Sequence, residues 1–149
     1  MVQHMLSPKV YTFVQRDQKV LFLRRFQTGW YDGCWCPSAG RIKPLESPIQ
    51  AAIRETKEEL GLRIDPVYVG VVYAKVSHLR PDKSPYYEDI SFFFKAECPA
   101  DQTPSNQEPE KHDLLEWFSW DSLPTPLMPT VHAGVEMYLQ GQNYRELGY

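Results

Sequence analysis

Both ends of one helix are written into the stretch Ser47-Pro48-Ile49 … Glu59-Leu60-Gly61. Ser47 is a residue type that caps orphan N–H groups, and Pro48 suits the first helical position, where no N–H is needed. Gly61 supplies the left-handed stop. This helix is fixed between β-rich segments, and that restricts the fold more than any other feature of the chain. Before it, Lys9–Gln15 and Lys19–Arg25 are β-branched and aromatic runs joined by the polar link Arg16-Asp17-Gln18, so they read as a hairpin. Phe26–Gly40 reads as a glycine-bearing loop with at most one short strand. After the helix, Val67–Ser77, Asp89–Glu97 and Leu114–Trp120 read as strands, separated by polar loops at 78–88 and 99–111. A second helix, 129–141, has proline at its start and glycine at its end. The expected class is α/β (α+β), a sheet packed by helices, not a regular βαβ alternation.

The length, 149 residues, suits one domain spanning residues 1–149. A net charge of −3 and a pI near 5.8 exclude a broad nucleic-acid or anionic-membrane footprint, and leave room for a small phosphate-bearing ligand if a metal or local arginines offset its charge. Cys34, Cys36 and Cys98 form neither a disulfide framework nor a zinc spacing, and read as packing thiols. The opening MVQHMLSPKV has no basic stretch followed by an apolar run, and no window reaches a membrane span. A cytoplasmic location is expected.

On a helical wheel with Ile49 at zero, Ala52, Ile53, Thr56 and Leu60 form one stripe expected to face the core. Glu55, Glu58 and Glu59 then share an arc of about 100° beside that stripe, with Ala51 among them. Like charges at i+3 and i+4 are mildly unfavourable, and the C-terminal half of a helix disfavours anions. Lys57 lies on another face, and Arg54 borders Glu58. A hard divalent cation would resolve that crowding; the alternative reading is a solvated helix face.

The surrounding spacing is specific. Gly40, five residues, Glu46, seven residues, then Arg54-Glu55-Thr56-Lys57-Glu58-Glu59-Leu60-Gly61-Leu62 resembles the Nudix box over residues 40–62, and TGWYDGCW and EPEKHDLLEWF resemble a MutT-like subgroup. The resemblance implies an α/β/α sandwich with a central mixed sheet and a loop–helix–loop catalytic motif. It implies a metal-dependent pyrophosphohydrolase cleaving a diphosphate linkage in a nucleoside tri- or diphosphate or a related nucleotide derivative, with Mg²⁺, or alternatively Mn²⁺, as cofactor. The alternatives are a nucleotide-sugar or dinucleoside polyphosphate pyrophosphatase, or a non-catalytic nucleotide-binding module that has kept the fold. By position, Glu55, Glu58 and Glu59 would hold the metal, with the Gly40 carbonyl nearby, and Glu46 and Arg54 would form a supporting ion pair. A small-molecule nucleotide would be the partner, with no nucleic acid and no membrane; a homodimer is compatible with the family. Three positions depart from the common pattern: Thr56 at a bulky aliphatic site, where its hydroxyl is expected to bond back to the helix; Leu45 where glycine commonly precedes the first glutamate; and Ser38-Ala39 before Gly40.

Outside the box, Arg25 and Arg41 are candidates to meet phosphates; Arg24 and Arg25 alternate on a strand, so only one of them can face a cleft. Trp30 and Tyr31 are candidates to stack on a base, and Glu108 and Glu110 to supply a further metal ligand or base. Each has a plainer reading as surface charge or packing aromatic. Glu88 and Asp89 are weaker forms of the same acidic idea, and His78 and His112 read as surface histidines.

Overall fold

The computed structural model describes residues 4–75 and 87–149. The end of the strand expected at Val67–Ser77, residues 76–77, and the loop at 78–86 with His78 lie outside the described residues.

Among the described residues, eight strands form one mixed sheet: β1 Met5–Arg16, β2 Lys19–Arg25, β3 Trp35–Cys36, β4 Ser38–Arg41, β5 Val67–Lys75, β6 Tyr87–Glu97, β7 His112–Ser119 and β8 Tyr144–Leu147. The helices α1 Pro48–Leu60 and α2 Pro129–Leu139 cover its faces. The path runs β3-β2-β1-β6-β5-β8, with β4 on β1 and β7 on β2. The pairs β1–β6 and β5–β8 are parallel and the rest antiparallel.

The expected hairpin forms, but it is brief. Asp17 and Gln18 take positive φ of 51° and 62°, which matches the right-handed twist of the flanking strands. Only Gln15↔Val20 and Arg16↔Lys19 then pair. Beyond them β2 leaves for β7 and β3, and β4 takes its place along Lys9–Thr12 of β1. The segment Phe26–Gly40 thus holds β3 and the start of β4 where at most one short strand was expected. The strand β8 was not anticipated; its tyrosine, arginine and glutamate hide the signal, and it forms by adding to the β5 edge after α2.

Alternation along β1 and β6 separates two cores. Val10 and Phe94 pack against Ala51 and Ala52 of α1. Tyr11, Phe13 and Phe93 face the other way, against Val131, Val135 and Met137 of α2. The result is an α/β/α sandwich, as expected. Cys36 and Cys98 are buried and all three thiols are free. Among the described residues, no helix is long and apolar enough to cross a membrane.

The expected core stripe of α1 is rotated. Ile49 and Ile53 are exposed, at 47% and 39%, whereas Ala51, Ala52, Thr56, Glu59 and Leu60 are buried. The two alanines let the helix axis approach the sheet closely, so the small-residue face wins over the more hydrophobic one. That rotation turns Glu59 into the interior.

Candidate active site

The helix begins as its sequence requires. Ser47 Oγ accepts from Gln50 N at 3.2 Å, and Gln50 Oε1 accepts from Ser47 N at 2.9 Å, a complete capping box. Gly61 closes the helix in the left-handed region, its N–H bonded to Lys57 O. The 99–111 segment then docks on the helix end, with Gln107 N donating to Glu59 O at 2.9 Å and Ser105 N to Leu60 O at 3.1 Å.

Arg54 is the hub of the site. Its Nε and Nη2 grip the Glu46 carboxylate at 2.6 and 2.9 Å. Its Nη1 meets Glu55 Oε1 at 2.7 Å and Glu58 Oε2 at 3.1 Å, and Nη2 also donates to the Arg41 carbonyl at 3.0 Å. One planar guanidinium therefore joins the loop, β4 and the helix. The bonds from Arg54 hold the Glu46 carboxyl down at about 2.

Glu59 lies under β4 with its Oε2 accepting the Ala39 N–H at 2.9 Å. Burial pushes its carboxyl up to about 8, although bonds from Ser38 and Ala39 pull the other way; the charges of Glu55 and Glu108 add to the rise. Burial also raises Glu55, against the pull of Arg54. Gly40 sits directly on Glu55: a methyl at Gly40 would stand 2.0 Å from that carboxyl carbon. Only glycine leaves room for the carboxylate against the strand backbone. Thr56 Oγ1 donates to Ser38 Oγ at 3.3 Å, so this hydroxyl ties α1 to β4 and does not bond back to the helix as expected.

The residues fit a divalent cation. A buried carboxylate, Glu59, and a half-buried one, Glu55, both with raised proton affinity, lie with the surface carboxylate Glu58 beside a backbone that glycine keeps open. Such anions are stabilised by a positive charge. Among the described residues no three acidic, histidine or cysteine side chains are already closed into a cage; Arg54 Nη1 occupies the position between Glu55 and Glu58.

β4 separates this carboxylate side from a cavity of about 380 Å³ on the α2 side of the sheet. Ala39 and Arg41 share the face of their partners Tyr11 and Lys9, while Gly40 shares that of Val10, and Gly40 borders both spaces. Of the sequence candidates, Arg25, Trp30 and Arg41 line this cavity. Arg24 points elsewhere, bound twice to Asp113 at 2.9 and 2.7 Å. Arg25 is partly committed to the loop, donating to Trp30 O at 2.6 Å and Thr28 Oγ1 at 2.9 Å. Trp30 and Tyr31 pack edge to face, 4.4 Å between centroids. Glu108 lies near enough to Glu55 and Glu59 to raise both, and pairs with Lys111 at 2.8 Å. Glu110 is exposed. His112 is not the expected surface residue: it is 4% exposed, and its Nδ1 has no partner among the described residues. Glu88 is bonded by His4, Tyr73 and Tyr149.

Sequence reasoning missed Lys9 and gave Asp89 little weight. Both line the cavity, and their partnership arises from a parallel pairing across more than seventy residues of chain, which local sequence does not reveal.

The fold and this constellation define a class. The NUDIX domain model matches residues 5–138, and the chain belongs to the Nudix hydrolase family. A MutT NUDIX hydrolase from Burkholderia pseudomallei superposes with a TM-score of 0.76 at 26% identity, covering 89% of this chain and 97% of that one. The NAD-capped RNA hydrolase NudC of Pseudomonas aeruginosa is 31% identical over 121 residues, 80% of this chain but only 38% of that protein. The CTP pyrophosphohydrolase of Escherichia coli is 38% identical over 53 residues, 36% of this chain and 39% of that protein.

Proposed function

We propose that the chain is a divalent-metal-dependent pyrophosphohydrolase, using Mg²⁺ or alternatively Mn²⁺, that cleaves a phosphoanhydride in a nucleoside tri- or diphosphate or a related derivative. The observation that carries this reading is the convergence of Glu55 and Glu59 under the Ala39–Gly40 backbone, at the strand that borders the cavity. Substrates named for relatives, CTP and NAD-capped RNA, point to a nucleotide.

Glu55, Glu58 and Glu59 would hold the cation, with the Gly40 carbonyl nearby. A bound cation of this kind neutralises phosphate charge and lowers the pKa of water, which removes the need for a nucleophilic side chain. The protein residues have separate tasks. Glu46 holds Arg54, and Arg54 fixes loop, strand and helix relative to one another. The Ala39 N–H orients Glu59. Arg41, exposed on the cavity wall, offers positive charge to a phosphate chain.

The test is release of phosphate or pyrophosphate from a panel of nucleotides with Mg²⁺, for wild type and Glu58→Gln. Glu58 is on the surface, with its side chain 46% exposed, so this change leaves folding intact. Turnover of one or more nucleotides, falling at least about a hundredfold in Glu58→Gln, is expected for loss of charge at a metal-binding carboxylate. No turnover with any divalent metal, or an unaffected variant, rejects the reading.

A further inference from the structure

The cavity beyond Gly40 ends in a charged pair that the diphosphate chemistry does not use. Lys9 Nζ donates to Asp89 Oδ2 at 2.6 Å, and the two side chains are 20% and 3% exposed. Asp89 Oδ1 is buried and has no hydrogen-bond partner among the described residues. Both residues line the cavity with Tyr11, Arg25, Trp30 and Gly40.

Burying a carboxylate oxygen without a donor is costly, and a buried ion pair is a poor stability device compared with apolar packing. A cavity of this volume is within the range of small-molecule sites, which are mostly apolar with a few placed polar groups. Tyr11 and Trp30 give flat apolar walls, while Lys9 and Asp89 give a donor and an acceptor side by side. Lys9 occupies one oxygen of Asp89 and leaves the other as acceptor; its ammonium keeps further N–H groups of its own.

We propose that the Lys9–Asp89 pair is the specificity-determining end of this cavity, reading a nucleobase edge on which an N–H donor lies beside an acceptor. The substrate N–H donates to Asp89 Oδ1, and Lys9 donates to the neighbouring carbonyl oxygen or ring nitrogen. The proposal rests on the nucleotide reading above and extends it from the diphosphate to the group it carries. Bare polyphosphate offers acceptors only, and a sugar diol, which can also donate and accept, is left intact by methylation of the base, so methylated nucleotides distinguish a base edge from a sugar.

The experiment compares two matched pairs of nucleotides, GTP with N1-methyl-GTP and ATP with N6,N6-dimethyl-ATP, in wild type and in Asp89→Asn. Lys9 holds the oxygen of an asparagine amide, which leaves its NH₂ where Oδ1 stood and sets donor against donor. In wild type, kcat/KM for at least one unmethylated member exceeds that of its methylated partner by about tenfold or more, the penalty for a buried hydrogen-bonding group left unpaired. In Asp89→Asn that ratio falls towards one, through KM and with kcat retained, while the methylated member changes by less than about twofold. A role confined to joining β1 and β6 would lower the thermal midpoint and leave the ratio untouched, which overturns the proposal. Equal turnover of both members of both pairs by wild type overturns it even if Asp89→Asn does not fold. Wild type that cleaves no nucleotide is the distinct failure of the function reading, and takes this inference with it.

Discussion

Leu45 holds a φ of 64°, with its side chain fully in solvent. The loop into α1 thus passes through the left-handed region that glycine enters freely, and an L-residue bears the strain. The left-handed region costs such a residue about 1–2 kcal/mol, and the greater freedom of unfolded glycine returns about 0.4–1 kcal/mol of that. Leu45→Gly is therefore expected to stabilise the protein by about 0.5–1 kcal/mol, read as a rise of a few degrees in thermal midpoint. An unchanged or lowered midpoint would show that the exposed leucine makes compensating contacts. The neighbouring Glu46 carboxylate already accepts the Lys43 N–H at 2.9 Å as well as both arginine bonds, so the loop end is held independently of residue 45.

At the scale of elements, close approach by small residues decides the architecture. Ala51 and Ala52 bring α1 onto Val10 and Phe94, and Gly134 does the same for α2. A methyl at Gly134 would lie 2.2 Å from the Phe93 ring, which is fully buried and stacked on Tyr11 at 4.9 Å. That ring has nowhere to move, so Gly134→Ala is expected to destabilise by about 1–3 kcal/mol despite the better helix propensity of alanine. Denaturant unfolding measures this, and a gain in stability would show that α2 can slide outward at little cost. Caps, breakers and β-rich runs located both helices and the long strands because those signals are local. The rotation of α1 was not readable from its own sequence: Ile49 and Ile53 are its most hydrophobic residues, yet the sheet selects the face that fits most closely. For the same reason β8 was not foreseen, and β3 and β4 were read as at most one short strand, since strands of two to four residues exist only through their partners.

For the whole molecule, the spacing of Gly40, Glu46, Arg54 and the three glutamates lies in one stretch of chain, and the Glu46–Arg54 ion pair it implies is formed. The cavity side is assembled from β1, β4, β6 and the loop after β2, so no single stretch of chain announces it. The two sides also differ energetically. The cavity is lined by both polar and apolar groups, whereas the carboxylate side keeps Glu59 in the interior at the expense of its ionised form. A cation that binds only the folded protein adds stability by mass action, about 2.7 kcal/mol at a hundredfold excess over Kd. For a chain of this size that corresponds to a rise of roughly 5–10 °C in thermal midpoint. Titrating Mg²⁺ or Mn²⁺ into the metal-free protein should therefore raise the midpoint progressively, and Glu59→Gln should abolish most of that rise while folding in the absence of metal. A solvated acidic helix face predicts no such dependence, and an equal rise in wild type and Glu59→Gln would place the cation away from the buried carboxylate.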